Sequence, residues 1–74
     1  MTLIEKIEKA LTYTVQDNKG DLFLYENVFV HTFSNDSDYE KIRESVNAIC
    51  DFFNNAENKE EVANMEVEDI LKSL

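Results

Sequence analysis

Hydrophobic residues in the first eleven positions recur at the spacing of a helix. Thr2 stands before them as an N-cap, and Glu5 follows three residues later to complete a capping box. Charged residues occupy the opposite side of the predicted helix. We therefore predict a first helix that begins after Thr2 and ends near Thr12. The apolar residues that define it are Leu3, Ile4, Ile7, Ala10 and Leu11.

The next segment has the composition of strands and turns. Residues 17–20, Asp-Asn-Lys-Gly, contain the only glycine and predict a tight turn. Around and after this turn lie three runs of β-branched and aromatic residues, which predict a three-stranded antiparallel meander over residues 12–33. The first run could instead continue the preceding helix. The predicted strands are residues 12–16, 21–25 and 28–33.

A second amphipathic helix is predicted from Ser37 to Phe53, with Ser37 and Glu40 in the positions of a capping box. The tail from Asn58 to Leu74 is also predicted to be helical, with a break near Asn64. The fold class is therefore α+β, one small domain over residues 1–74 of order α-β-β-β-α-α, with the antiparallel three-stranded meander packed against helices. One apolar stripe at spacings of three and four residues defines the second helix: Tyr39, Ile42, Val46, Ile49 and Phe53.

Composition limits the classes of protein that this chain can represent. Its 74 residues are 43% hydrophobic, which is too apolar for a disordered acidic tail. A single cysteine excludes an internal disulfide, so a second subunit is one source of additional buried area. We expect a cytoplasmic location, because the N-terminus has no signal-peptide pattern and no apolar run approaches the length of a membrane span.

Negative charge is concentrated in the second half of the chain. The formal net charge is −9, of which residues 1–34 carry −2 and residues 35–74 carry −7. On the second predicted helix, Glu40, Glu44 and Asp51 form a line about 16 Å long opposite the apolar stripe. The proposed partner-binding face consists of six acidic residues: Glu40, Glu44, Asp51, Glu57, Glu60 and Glu61.

Two interpretations of this acidic face remain open. Acidic residues keep small proteins soluble, and those at helix N-termini interact favourably with the helix dipole. Alternatively, aligned carboxylates present a negative field to a basic partner. A DNA-binding protein is the most concrete partner, because its cleft must neutralise closely spaced phosphates and an acidic protein can imitate them. Direct nucleic-acid binding is not expected of a chain with sixteen acids and seven bases.

No motif predicts catalysis, a cofactor or a metal site. Residues 36–47 resemble a calcium loop only superficially, because Lys41 and Asn47 occupy the positions that require glycine and glutamate. His31 and Cys50 are the only histidine and cysteine. Cys50 lies beside the apolar stripe of its helix and is expected to pack as a small hydrophobe. We therefore predict a protein that is not an enzyme.

The predicted strands are apolar on both faces, which suggests that both faces are covered. Either the terminal helices wrap around the sheet, or a second copy of the chain covers one face or edge. We predict a homodimer, with an interface formed by Phe23, Tyr25, Phe29, His31 and Phe52.

The function predicted from these patterns is that of a small acidic protein-binding module. Its most concrete form is an inhibitor that occupies the basic DNA-binding surface of another protein by charge mimicry. The alternative is a structural or assembly subunit whose interface is the apolar strand region 22–33, with acids that only confer solubility.

Overall fold

A computed structural model describes residues 1–74, the whole chain. The fold comprises five helices and one two-stranded antiparallel sheet. In chain order the elements are α1 (Leu3–Leu11), β1 (Thr14–Gln16), β2 (Leu22–Leu24), α2 (Glu26–Phe33), α3 (Tyr39–Asn54), α4 (Lys59–Ala63) and α5 (Val67–Ser73).

The first helix and the helical tail are confirmed. The Thr2 hydroxyl accepts a hydrogen bond from the backbone N–H of Glu5, and the Glu5 carboxylate accepts one from the backbone N–H of Thr2. This is the predicted capping box. The tail forms α4 and α5, and α4 ends at Ala63 with Asn64 as its C-cap, where the break was expected.

The three-stranded meander is wrong. Only the first two strands form, and residues 28–33, predicted as the third, belong to helix α2. The cause is tertiary packing. Phe29 and Phe33 are one helical turn apart, and both are buried, with their ring centroids 5.2 Å from each other. Tyr39 of α3 lies 5.2 Å from Phe29 on the other side, so a helix places this aromatic cluster in the core and overrides the local preference for a strand.

The start of α3 also differs from the prediction. Its N-cap is Asp38 rather than Ser37, and no side chain caps the helix. Instead, the carboxylate of Asp36 accepts a hydrogen bond from the backbone N–H of Asp38, and Lys6 of α1 binds both of these aspartates. A contact across the fold therefore fixes the helix start that a local capping box was expected to fix.

The hydrophobic core lies on one side of α3. This helix packs against β2, α1, α4 and α5, and its predicted apolar stripe provides Ile42, Val46 and Ile49 to the core. No polar or charged side chain is buried. The core residues are Ile7, Ala10, Leu24, Phe29, Phe33, Ile42, Val46, Ile49, Cys50, Val62 and Ile70.

The hairpin formed by β1 and β2 is fixed at its turn and at one edge. Gly20 adopts a positive φ of 85°, and Asp17 accepts hydrogen bonds from the backbone N–H groups of Lys19 and Asp21, which confirms the predicted turn. At the outer edge of β2, the side-chain amide of Asn54 accepts from the Leu22 N–H at 2.6 Å and donates to the Leu22 C=O at 2.8 Å. Asn54 thus takes the place that a third strand would occupy.

Replacing Asn54 with alanine is expected to destabilise the fold. The Asn54→Ala change leaves the N–H and C=O of Leu22 without their partners, at a cost of about 1–2 kcal/mol in the free energy of unfolding. Urea denaturation measures this value. Asn55→Ala is the matched control, because the Asn55 side chain makes one exposed hydrogen bond to its own helix and its loss should cost less than about 0.5 kcal/mol. Equal effects of the two changes would contradict the edge-capping role.

An ion-pair cluster joins α1 to the segment before α3. The Lys6 ammonium lies 3.0 Å from the Asp36 carboxylate and 3.1 Å from that of Asp38. The backbone N–H of Asp38 and the Lys6 ammonium both bind the Asp36 carboxylate, and they hold its pKa below the ordinary value. Hydrogen bonds to Asp36 and Asp38 raise the pKa of Lys6. The cluster therefore favours the charged forms of both partners.

Acid should weaken the protein through Asp36. Because folding lowers the pKa of this group, its contribution to stability is complete above the unfolded-state pKa of about 3.9 and is lost as the pH falls through the folded-state pKa. The free energy of unfolding, measured by urea denaturation, should decrease below about pH 4. Asp36→Asn should make that decrease shallower, whereas Glu8→Gln, at an exposed position without an ion pair, should not. Identical pH slopes in all three proteins would contradict this assignment.

Candidate functional site

Three of the six predicted binding residues lie along one exposed face of α3. Glu40, Glu44 and Asp51 are all exposed, whereas Ile42 and Val46 of the same helix are completely buried. The acidic line thus faces away from the core, as the 100° helical rotation requires. None of the three carboxylates forms an ion pair within the chain.

The other three predicted residues lie on the adjoining part of the chain. Glu57 is in the connection between α3 and α4, and Glu60 and Glu61 occupy the first turn of α4. All three are exposed and have no ion-pair partner. Helix α4 packs directly against α3, so the two groups of acids lie on neighbouring elements. We call these six residues the acidic face.

Most of the positive charge is engaged elsewhere in the fold. Four of the seven basic side chains form ion pairs, and every partner lies outside the acidic face. The Lys9 ammonium lies 6.0 Å from the ring centroid of Phe33. Lys41 is exposed on α3 beside the acidic line. The four ion-paired bases are Lys6 with Asp36 and Asp38, Arg43 with Glu26, Lys59 with Asp21 and Lys72 with Glu68.

The residues predicted for a dimer interface do not share one surface. Phe23 and Tyr25 are 48% and 46% exposed, and His31 is exposed on α2. Phe52 is half-buried and packs against the core, and Phe29 is completely buried. Phe29 is inaccessible because residues 26–33 form a helix whose aromatic side faces α3. Phe29 therefore cannot contribute to an interface with a second copy.

An apolar pocket that the sequence did not indicate lies between the sheet and the helices. Its volume is about 290 Å³, near the small end of ligand-binding cavities. Thr14 is its only polar lining residue, and the Thr14 hydroxyl already donates to the C=O of Leu11 at 2.8 Å. The Thr14 hydroxyl therefore has no second proton to donate to a ligand in this pocket. Its lining is Leu11, Thr14, Leu22, Ile49, Phe53, Val62, Ala63, Met65, Val67 and Ile70.

His31 and Cys50 occupy different environments. His31 is exposed on α2, whereas Cys50 is only 4% exposed on the core side of α3. Burial, together with the neighbouring charge of Asp51, raises the pKa of the Cys50 thiol to about 11. The thiolate is the reactive form of cysteine, so this environment disfavours nucleophilic chemistry at Cys50.

Cys50 should react slowly with thiol reagents while the protein is folded. A pKa of about 11 leaves roughly one thiol in a thousand ionised at pH 8. We expect alkylation at least about 100-fold slower in buffer than in urea, measured by mass spectrometry. An exposed cysteine introduced by Ser37→Cys in a Cys50→Ala background is the control, and it should react at similar rates in both conditions. Rapid alkylation of folded Cys50 would show that the thiol is accessible and activated.

The acidic face consists of six exposed carboxylates that the core does not explain. No group of three or more histidine, cysteine or acidic side chains is arranged to hold a metal ion. No helix combines the length and the apolar character needed to cross a bilayer. Comparisons with protein-family models, curated proteins and solved structures found no match to this chain.

Proposed function

We propose that this protein binds a basic partner protein through the acidic face. The observation that carries the proposal is that all six carboxylates are exposed and none is ion-paired within the chain. Carboxylates of this kind produce a field that attracts a positively charged surface and accelerates association with it. The most concrete partner is a DNA-binding protein, whose phosphate-binding surface the acidic face would occupy.

The rigidity of the acidic line supports this proposal. Glu40, Glu44 and Asp51 project from a 16-residue helix that is held on its other side by the core. Their spacing is therefore fixed before a partner binds, which lowers the entropic cost of association. Glu40 and Glu44, one turn apart, repel each other slightly in the free protein. A basic partner would relieve that repulsion.

The alternative proposal, an assembly subunit that uses an apolar strand region over residues 22–33, has less support. Only Leu22–Leu24 form a strand within that region, and the helix that follows directs Phe29 and Phe33 into the core. What remains of that surface is the exposed side of the hairpin, together with Tyr25 and Val30.

Neutralising the line on α3 should weaken partner binding. We expect the triple change Glu40→Gln, Glu44→Gln and Asp51→Asn to lower affinity about tenfold, from roughly 0.5 kcal/mol for each exposed charge. The assay is capture of partners from a lysate of the source organism on the immobilised protein, with identification and quantification by mass spectrometry. Captured partners should be released between about 50 and 500 mM salt and displaced by duplex DNA.

The matched control removes the same charge from another part of the surface. Glu8→Gln, Glu66→Gln and Asp69→Asn change three exposed acids that have no ion pair and lie outside the acidic face. This control should retain the captured partners. Capture that is independent of salt, or that both triple variants lose equally, would refute charge mimicry by the acidic face.

A further inference from the structure

The two edges of the hairpin differ in their hydrogen bonding. In the observed register Thr14 lies opposite Leu24, Val15 opposite Phe23 and Gln16 opposite Leu22. Two backbone hydrogen bonds flank these pairs: the Tyr25 N–H donates to the Tyr13 C=O, and the Asp17 N–H donates to the Asp21 C=O. They determine which backbone N–H and C=O groups point toward the partner strand of the hairpin. Antiparallel strands alternate in this respect, so the backbone groups of Thr14 and Gln16 point outward from β1, and those of Leu22 and Leu24 point outward from β2.

Only the outer edge of β2 is covered. The Asn54 side chain binds both outward groups of Leu22, and α3 packs against this strand, whose Leu24 is buried. On β1, the outward N–H and C=O groups of Thr14 and Gln16 have no hydrogen-bond partner, either in the backbone or in a side chain. No helix packs along β1 as α3 packs along β2. An edge with unpaired groups is a template for another strand.

We propose that a second copy of this chain pairs with β1 through its own β1 strand, so that two hairpins form one four-stranded antiparallel sheet. A two-fold axis at Val15 places Thr14 opposite Gln16 of the second copy and Gln16 opposite Thr14 of the second copy. In both pairs the backbone N–H and C=O groups point toward the other copy, so each pair exchanges two hydrogen bonds. The four unpaired backbone groups of each β1 strand are then all used. The strand order is β2-β1-β1-β2.

The same register aligns the side chains of Val15 and Phe23, which lie on the face of the sheet opposite Leu24. Val15 and Phe23 are a cross-strand pair on the face opposite Leu24, and Phe23 remains 48% exposed. With the axis at Val15, the two valines become neighbours, and an apolar row runs from Phe23 of one copy through both valines to Phe23 of the other. Cross-strand contacts between aromatic and β-branched residues stabilise sheets. One register therefore satisfies the backbone and extends the apolar row, which favours a second copy as the occupant.

This dimer does not depend on the proposed role of the acidic face, and salt distinguishes the two. Each copy carries a formal charge of −9, so the copies repel each other and added salt should strengthen the dimer. Binding of a basic partner through the acidic face should instead weaken with salt. Failure of one proposal therefore leaves the other intact.

The first test is the mass of the protein in solution, measured by sedimentation equilibrium over a range of protein and salt concentrations. Gln16→Pro removes an outward N–H from each copy without breaking a hydrogen bond of the hairpin backbone. It should raise the dimer dissociation constant about 30-fold, since two bonds are lost in each dimer. Gln16→Ala is the matched control, which removes the side chain but keeps the N–H, and it should dimerise as the unaltered protein does.

The second test maps the axis directly. Residues that face each other without hydrogen bonds in antiparallel strands lie close enough for a disulfide, so Val15→Cys in a Cys50→Ala background should form a cross-linked dimer on mild oxidation. Lys19→Cys in the same background, at the exposed turn, should cross-link at least tenfold more slowly. The proposal is overturned by a monomer at all protein and salt concentrations. It is equally overturned by dimers that Gln16→Pro leaves intact, or by equal cross-linking at the two positions.

Discussion

Burial of one side of α3 is the constraint on which the other elements depend. This helix contacts the hairpin, α1, α4 and α5, and its residues Ile42, Val46 and Ile49 are among the most buried in the chain. The remaining elements are short, between three and nine residues, and too short to be stable alone in water. The helices and β2 persist because they bury apolar residues in the same core, and β1 persists through its pairing with β2. The opposite side of α3 is free of packing requirements, and there the acidic line lies.

The basic residues explain how a protein of such negative charge remains folded. Each of three cations joins separate elements: Lys6 links α1 to the start of α3, Arg43 links α3 to α2, and Lys59 links α4 to the hairpin turn. The Arg43 guanidinium binds both oxygens of Glu26, at 2.7 and 2.8 Å, which is the strong bidentate form of this contact. Positive charge is thus placed where elements meet. None of the four ion-paired bases forms an ion pair with the acidic face.

The sequence predicts the parts of this fold that local patterns determine. The cap at Thr2, the stripe of α3, the turn at residues 17–20 and the break near Asn64 all follow from spacing or from residue type, and all are observed. Helix α2 could not be predicted in this way, since Val28, Val30 and Thr32 favour strands. Its helical state depends on Phe29 meeting Tyr39, ten residues further along the chain, and on Phe33 packing against Phe29 and Tyr13.

The same distinction applies to the candidate sites. The six acids are exposed, as expected from the helical rotation of α3 and from the polar connection that follows it. The predicted dimer interface is wrong at Phe29, because that residue was placed on a third strand that does not form and is buried in a helix instead. The role of Asn54 at the edge of β2 could not be predicted from the sequence for a related reason. Its amide binds Leu22, which lies 32 residues away, and no local pattern records such a contact.

Asn54 also determines how far association through the hairpin can extend. An exposed edge normally risks open-ended strand addition, which leads to aggregation. In this chain the Asn54 side chain binds the Leu22 groups at the outer edge of β2, and α3 packs against that strand. In the proposed dimer, pairing of two β1 strands would use the open edge of both copies and leave the two covered β2 edges outside. Repulsion between chains of charge −9 opposes further, less specific contacts. The contact between Asn54 and Leu22 would thus also help to limit the proposed assembly to two copies.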